Sequence, residues 1–434
     1  MCVGQLLLLA GLYGCTTRPN LRTRESEPVA VASARPVAQT TLYAGTSGDY
    51  PPFSVADGDR FAGFSIDLVE AYARDRYLAV SWRRFLWPEL VSDLLAGRFE
   101  LASSGITVRP ERSIAGRYTV PIAVTGSVLL VRRPAWLDDM RRTTDDWLRV
   151  LDDGRLRLGV NRGGHLERIA RERLPHAQIV TFDDNRLVPA ALSRAELDAA
   201  LTNTIEEARW RRLSGANIES VGPFTREYVA LYAPKDAGAL TADLDDWLIH
   251  AETSGELARL REAAFANEGT ERTALVVPAL LAAIAERLAL MPFVAEAKQR
   301  SGKPIDDPEQ EARVLTLACD QVGQAAMKRG LPAPPDARVR LFFHAQMDAA
   351  KTIQRLPREP SATSYALDTE LRPAVARVSD RIHRLVAQVP RGLSLSALTE
   401  QSRVVLQGTG LSGAECDAIA QALYGLSHEA NPDP

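Results

Sequence analysis

The chain has 434 residues, a formal net charge of −3, 46% apolar side chains and 25% charged ones. That length suits roughly two to four domains of ~100–200 residues, and the composition is that of a folded chain. Without a Lys/Arg run, nucleic acid is excluded as a partner, whereas a small anion held by a local Arg is not.

The N-terminal "MCVGQLLLLAGLYGC" carries an apolar run, Leu6–Leu12, too short to span a bilayer and fitted to the core of an export signal. Leu12-Tyr13-Gly14-Cys15 resembles a bacterial lipoprotein box, which implies a lipidated Cys15 and a membrane anchor. Residues 1–15 then form a leader, and 16–40, rich in Thr, Arg, Pro, Ser and Ala, a flexible tether.

From 41 to 265, short strand-like segments ("TLYAGTS", "LAVSWRRF", "ELASSG", "SVLLVRR", "RLRLGVN", "AQIVTF") alternate with helical ones such as "SIDLVEAYARDRY". The alternation predicts an α/β domain with mostly parallel sheets. After about residue 270 every segment has helical period, which predicts an all-α second domain. Residues 274–285 are apolar enough for a membrane span, but Pro278, Glu286 and Arg287 favour a buried core helix. Cys319 and Cys416 suit either a disulfide or two buried thiols. With neither CxxC nor a His/Cys cluster, no metal or other cofactor is expected.

Two loops suggest anion sites. In "SSGITVRPERS", Thr107 and Arg112 lie where a hydroxyl, backbone N–H groups and a guanidinium can converge on one carboxylate. In "VNRGGHLERIAR", Gly163 and Gly164 open a second helix N-terminus. Two such loops in separate halves of an α/β chain suggest a two-lobed cleft gripping a dianion. "LTNTIEEARW" ends a strand and begins a helix, with Asn203 in the turn and Glu206 in the first helical turn. Read locally, Glu206 either complements the helix dipole or supplies an acid.

"GTSGDYPPFS", "FAGFSIDLVEAYA", "SSGITVRPERS" and "DDWLIHAETSGELARLRE" together resemble a type II periplasmic solute-binding protein over about 41–267. "TSGDYPPFS", Trp87 in "LWPEL", "VNRGG" and "LTNTIEEAR" are similar to its enzymatic branch, the cyclohexadienyl dehydratases. The resemblance implies two α/β lobes joined by a hinge, one over about 41–131 and 226–267, the other over about 132–225. It implies conversion of prephenate or arogenate to phenylpyruvate or phenylalanine, with Glu206 as general acid. Substrate contacts are implied for Asp49, Tyr50, Trp87, Ser104, Thr107, Arg112, Asn161, Gly163, Gly164 and Asn203. Amino-acid-binding relatives place Asp at position 203; Asn203 removes that partner for an ammonium and favours prephenate. His165 stands where Thr is usual and reads as a cleft-rim residue.

In the helical part, Arg287 and Lys298 are close to three turns apart and share a side. Asp307 reads as an N-cap, Pro308 as the first helical residue, and Gln310 has capping-box spacing, with Glu311 next. Gln346, Ala350 and Gln354 form one stripe, and Arg381 is a cation on a later helix. "ERL…AKQRSGKPIDDPEQEARVL" and "FFHAQMDAAKTIQ" resemble the secreted all-α chorismate mutases over about 270–434. The resemblance implies that Arg287, Lys298 and Arg381 hold the carboxylates and ether oxygen of chorismate. Glu311 is implied at the ring hydroxyl, Gln354 at the ether oxygen, and Asp307 at the substrate. Gln310 replaces the usual Arg, with Arg313 nearly one turn on as a substitute, and Ala350 lacks a hydroxyl found in some relatives.

The expectation is an exported periplasmic bifunctional enzyme making prephenate from chorismate and phenylpyruvate from prephenate, without cofactors. Expected partners are these small molecules, a membrane through Cys15, and a second copy of the chain in a homo-oligomer. The alternatives are an amino-acid-type solute receptor with a non-catalytic helical tail, and a dehydratase whose mutase domain is impaired at Gln310.

Overall fold

The computed structural model describes residues 40–132, 144–215, 217–265, 271–358, 363–406 and 408–428. The expected export signal, Cys15 and nearly all of the expected tether lie outside the described residues.

The first lobe is built on a five-stranded sheet in the order Ala79–Arg84, Thr41–Thr46, Leu101–Ala102, Tyr232–Ala233, Arg117–Tyr118. Its first three strands are parallel, and Tyr232–Ala233 pairs antiparallel on both sides. The second lobe has the order Gln178–Phe182, Arg157–Asn161, Ala199–Asn203, Ser127–Arg132, Ile218–Val221. Here too the first three strands are parallel and the last two pairings antiparallel. An antiparallel ribbon of Ala123–Thr125 with Glu227–Val229 precedes the crossing into the second lobe and follows the return.

The strand Ser127–Arg132 therefore belongs to the second lobe, and the crossing lies near residue 126 rather than after 131. The run "SVLLVR" hid this because it is apolar on both faces. Leu129 and Val131 pack on one side of the sheet, Val128 and Leu130 on the other. A strand buried on both sides carries no alternation to say which sheet takes it.

Among the described residues, seven α-helices follow: Val276–Ala289, Met291–Arg300, Pro308–Lys328, Asp336–Arg355, Arg372–Val386, Leu395–Leu406 and Gly413–Ser427. The apolar segment Val276–Ala289 is a core helix, with Leu280, Leu281, Ala283 and Ile284 buried. Asp307 caps Pro308–Lys328 by accepting from the Gln310 N–H at 3.0 Å. The Asp307 N–H donates to Glu311 Oε1, at a long 3.5 Å, while the Gln310 side-chain oxygen accepts from Arg313.

One continuous buried cluster joins Leu42, Phe64 and Leu101 of the first lobe to Leu280, Phe342, Ile382 and Leu423 of the helical domain. The second lobe keeps separate cores. The first lobe and the helices thus share one hydrophobic interior. Cys319 and Cys416 are both buried free thiols.

Candidate active sites

The strand ends of the two lobes face each other across a cleft, where open α/β sheets place ligands. Tyr50, Trp87, Thr107 and Arg112 come from the first lobe, and Asn161, Gly164 and His165 from the second. They enclose about 20 Å³, room for about one water, so a ring-sized ligand enters only when the lobes part. Gly163 marks how tightly they meet: its φ is +69°, and a Cβ there would sit 2.7 Å from Pro88 of the opposite lobe.

Arg112 is 2% exposed, donates to the Thr107 carbonyl at 3.2 Å, and lies 5.9 Å from the Trp87 ring centroid. Asp49 accepts from Trp87 Nε1 of its own lobe at 3.1 Å and, across the cleft, from the Asn185 N–H at 3.2 Å and Asn161 Nδ2 at 3.4 Å. Ser104 turns away, its hydroxyl 2.7 Å from that of Ser47, and serves the loop rather than the cavity. His165 is a buried wall residue rather than a rim residue, its Nε2 2.8 Å from Glu227 Oε1. Burial holds the imidazole below its ordinary pKa. Burial also works against Glu227, but His165, Thr225 and Ser127 outweigh it and keep that carboxyl below its ordinary range.

Glu206 is fully buried one residue before the helix Glu207–Ser214. Asn185 Nδ2 donates to its Oε1 at 3.0 Å; Asn203 Nδ2 and Thr202 Oγ1 approach Oε2 at 3.1 and 3.2 Å. Burial pushes its pKa up to about 8; the Asp49 charge adds to the rise, and hydrogen bonds from Thr202, Trp210 and Asn185 only partly oppose it. A carboxyl with that value carries its proton at neutral pH and can donate it. Asn203 is oriented by its own backbone: Oδ1 accepts from the N–H groups of Ile205 and Glu206 at 2.8 and 3.1 Å. Its NH₂ is left for Glu206 and the Tyr50 hydroxyl.

A second cavity, of about 390 Å³, opens among the helices. Arg287, Lys298, Asp307, Gln310, Glu311, Ala350 and Gln354, brought together from four helices, line it. Arg287 is buried, and burial alone lowers its pKa to about 10. One of its terminal nitrogens, Nη1, has no hydrogen-bond partner. A buried guanidinium in that condition suits a ligand carboxylate. Burial, then the neighbouring Arg372, holds Lys298 below the ordinary lysine range, and its Nζ donates to the Ile305 carbonyl at 3.0 Å. His383 on the wall is lowered to about 4, by burial first and then by Arg287 and Arg384, so it is neutral.

Two expected cations lie elsewhere. Arg381 is absent from this cavity; it points into the junction with the first lobe, ion-paired with Glu286 and donating to the Tyr118 carbonyl at 2.6 Å. Arg313 is exposed, 3.1 Å from Gln310 Oε1 and 3.7 Å from Glu309, and does not reach the cavity in place of the missing Arg. Arg372 and Lys351 line it instead. Lys351 stood in "FFHAQMDAAKTIQ", one residue after Ala350, and Arg372 opens the helix that carries Arg381. The sequence also offered a signal for Asn185: it follows "AQIVTF" in the polar turn at the end of a parallel strand.

The chain is 29% identical over 226 residues to cyclohexadienyl dehydratase of Pseudomonas aeruginosa, covering 51% of this chain and 81% of that protein. It is 25% identical over 239 residues to an arginine-binding extracellular protein of Bacillus subtilis, covering 52% of this chain and 87% of that one. Among solved structures, an ancestral amino-acid-binding protein, a precursor of cyclohexadienyl dehydratase, aligns with 28% identity and a TM-score of 0.47 over 52% of this chain and 95% of that chain. Residues 278–355 match chorismate mutase type II. Residues 42–267, over half of the sequence, match the bacterial extracellular solute-binding proteins, family 3, and the chain belongs to that family.

Proposed function

We propose that the chain is a bifunctional exported enzyme: its helical domain rearranges chorismate to prephenate, and its two-lobed domain converts prephenate to phenylpyruvate, water and CO₂. The observation that carries the reading is Glu206, a fully buried carboxyl with a pKa of about 8 placed where the lobes meet. Hydroxide is a poor leaving group, so its departure needs a proton donor. Glu206 gives its proton to the ring hydroxyl oxygen, the C–O bond breaks and water leaves. The electron pair of the bond to the ring carboxylate moves into the ring as CO₂ departs, and Glu206 takes a proton back from solvent. Arg112 and Thr107 hold a carboxylate, and closure excludes water from the developing cation-like ring.

In the helical cavity the rearrangement needs no covalent group. Arg287 and Arg372 grip the two carboxylates in a compact conformer, and Lys298 and Gln354 stabilise negative charge on the breaking ether oxygen. Lys351 pairs with Glu311 at 3.3 Å and orients it toward the ring hydroxyl. Cys15 carries a lipid that tethers the enzyme to a membrane.

The arginine-binding relative supports a second reading, an amino-acid receptor with a helical tail. Both oxygens of Asp49 and of Glu206 already accept hydrogen bonds within the protein, which leaves a cationic ligand little anionic surface. Purified protein given chorismate distinguishes the two: the enzyme consumes it and phenylpyruvate absorbance appears. A protein that binds arginine and leaves chorismate and prephenate untouched is a receptor.

A further inference from the structure

We propose that Arg377 of the helical domain is a positioning residue for the cleft, holding Arg112 in place through the backbone of its helix. The proposal rests on the dehydratase reading of that cleft. Arg112 sits in a helix of six residues, Pro110–Ala115. So short a helix is not stable by itself, and its last carbonyls lack partners within it. Arg377 supplies them: Nη2 donates to the carbonyls of Ser113 and Ile114 at 3.0 and 2.9 Å, and Nε to that of Gly116 at 3.3 Å. A cation at a helix C-terminus also meets the negative end of its dipole.

Other groups hold the same helix. The Ser113 hydroxyl donates to Glu286 Oε1 at 2.7 Å, and the other Glu286 oxygen pairs with Arg381. Arg381 continues to the Tyr118 carbonyl, on the strand that follows. The Arg112 carbonyl accepts from the Tyr232 hydroxyl at 2.9 Å. Three helical-domain side chains, Glu286, Arg377 and Arg381, therefore grip the segment that presents the substrate-facing guanidinium. The helix Arg372–Val386 serves both sites at once. Arg372, Ala376 and His383 line the mutase cavity, while Arg377 and Arg381 face the first lobe.

Arg377 is the informative position. Removing Arg381 strands a buried Glu286 charge, which endangers folding; the hydrogen bonds of Arg377 all end on carbonyls, and it does not line the mutase cavity. The test uses the full chain as Arg377→Met and Arg377→Lys. With prephenate supplied directly, Arg377→Met raises KM about tenfold, as expected for losing a charged hydrogen-bond donor behind a binding group. Its kcat stays within about twofold, because Arg112 binds ground and transition states alike. Arg377→Lys recovers part of the KM, chorismate consumption is unchanged, and amides of residues 113–119 exchange faster with deuterium in Arg377→Met. As a control, Arg329→Ala breaks the Arg329–Asp246 pair, another link between the domains. The proposal is overturned by a KM within about twofold of the parent, by no recovery with lysine, or by an equal KM rise in Arg329→Ala. If the parent does not dehydrate prephenate, the reading of the cleft fails instead. Amide exchange then decides the positioning role alone, and unchanged protection of 113–119 overturns it.

Discussion

Replacing Glu206 by Gln removes the only proton of the proposed acid while keeping the shape of the side chain. Loss of a general acid costs about 10²–10⁴ in rate, so dehydration of prephenate should fall by that factor while chorismate is still consumed and prephenate accumulates. The pKa of about 8 adds a second expectation. The parent's rate needs the protonated acid, so it is level below pH 8 and falls about tenfold for each further pH step; the variant lacks that limb. Stability follows the same group. The folded value lies above the ordinary 4.5, so the native state keeps a proton that the unfolded chain releases. The parent therefore loses stability as pH rises from about 4.5 to about 8. At about 1.4 kcal/mol per pH step the loss is at most about 5 kcal/mol. Gln has no such slope, so the stability of the variant relative to the parent should climb across that window, whatever constant offset its altered hydrogen bonds add. The assays are phenylpyruvate absorbance from prephenate between pH 6 and pH 10 on an order-of-magnitude rate scale, and urea unfolding at the two ends of the window. Phenylpyruvate formed by Glu206→Gln at the parental rate, or an alkaline limb that survives the substitution, refutes the assignment.

Lys298→Ala should abolish rearrangement of chorismate, by roughly 2.7–4 kcal/mol for one oxyanion donor, and leave prephenate dehydration intact; unchanged chorismate turnover removes Lys298 from the mechanism. Asn203 turns only its NH₂ toward the cleft, which suits the ketone of prephenate and repels the ammonium of arogenate. Asn203→Asp should therefore shift the kcat/KM ratio toward arogenate, and a parent that already uses both equally points to Asp49 as the ammonium partner. Cys15→Ser should move the protein from the membrane to the soluble fraction; identical fractionation of the two forms excludes the lipid anchor.

Local chemistry was legible along the chain. The strand-helix alternation over 41–265, the purely helical period beyond 270 and the Asp307 cap all depend on residues a few positions apart, and the structure has each of them. So do the loops that bring Asp49, Trp87, Thr107, Arg112 and Asn161 to one cleft, because strand ends of an α/β lobe converge wherever the sheet forms. Asn185 escaped notice because its contacts are with Asp49 of the other lobe and with Glu206, neither adjacent in sequence.

The sequence by itself determined the two fold classes, the order of the domains and which residue types could carry a dianion. Only the tertiary structure decided how the arginines were shared out. Arg372 and Arg381 lie on one amphipathic helix, and its period reports that a face is buried without saying against what. Docking against the first lobe turned Arg377 to the backbone of the Arg112 helix and Arg381 to the Tyr118 carbonyl of the strand that follows, and left Arg372 for the cavity. The same docking merged two cores into one. Contacts between residues more than 250 positions apart leave no period in either segment, so this division of labour exists only once the domains have packed.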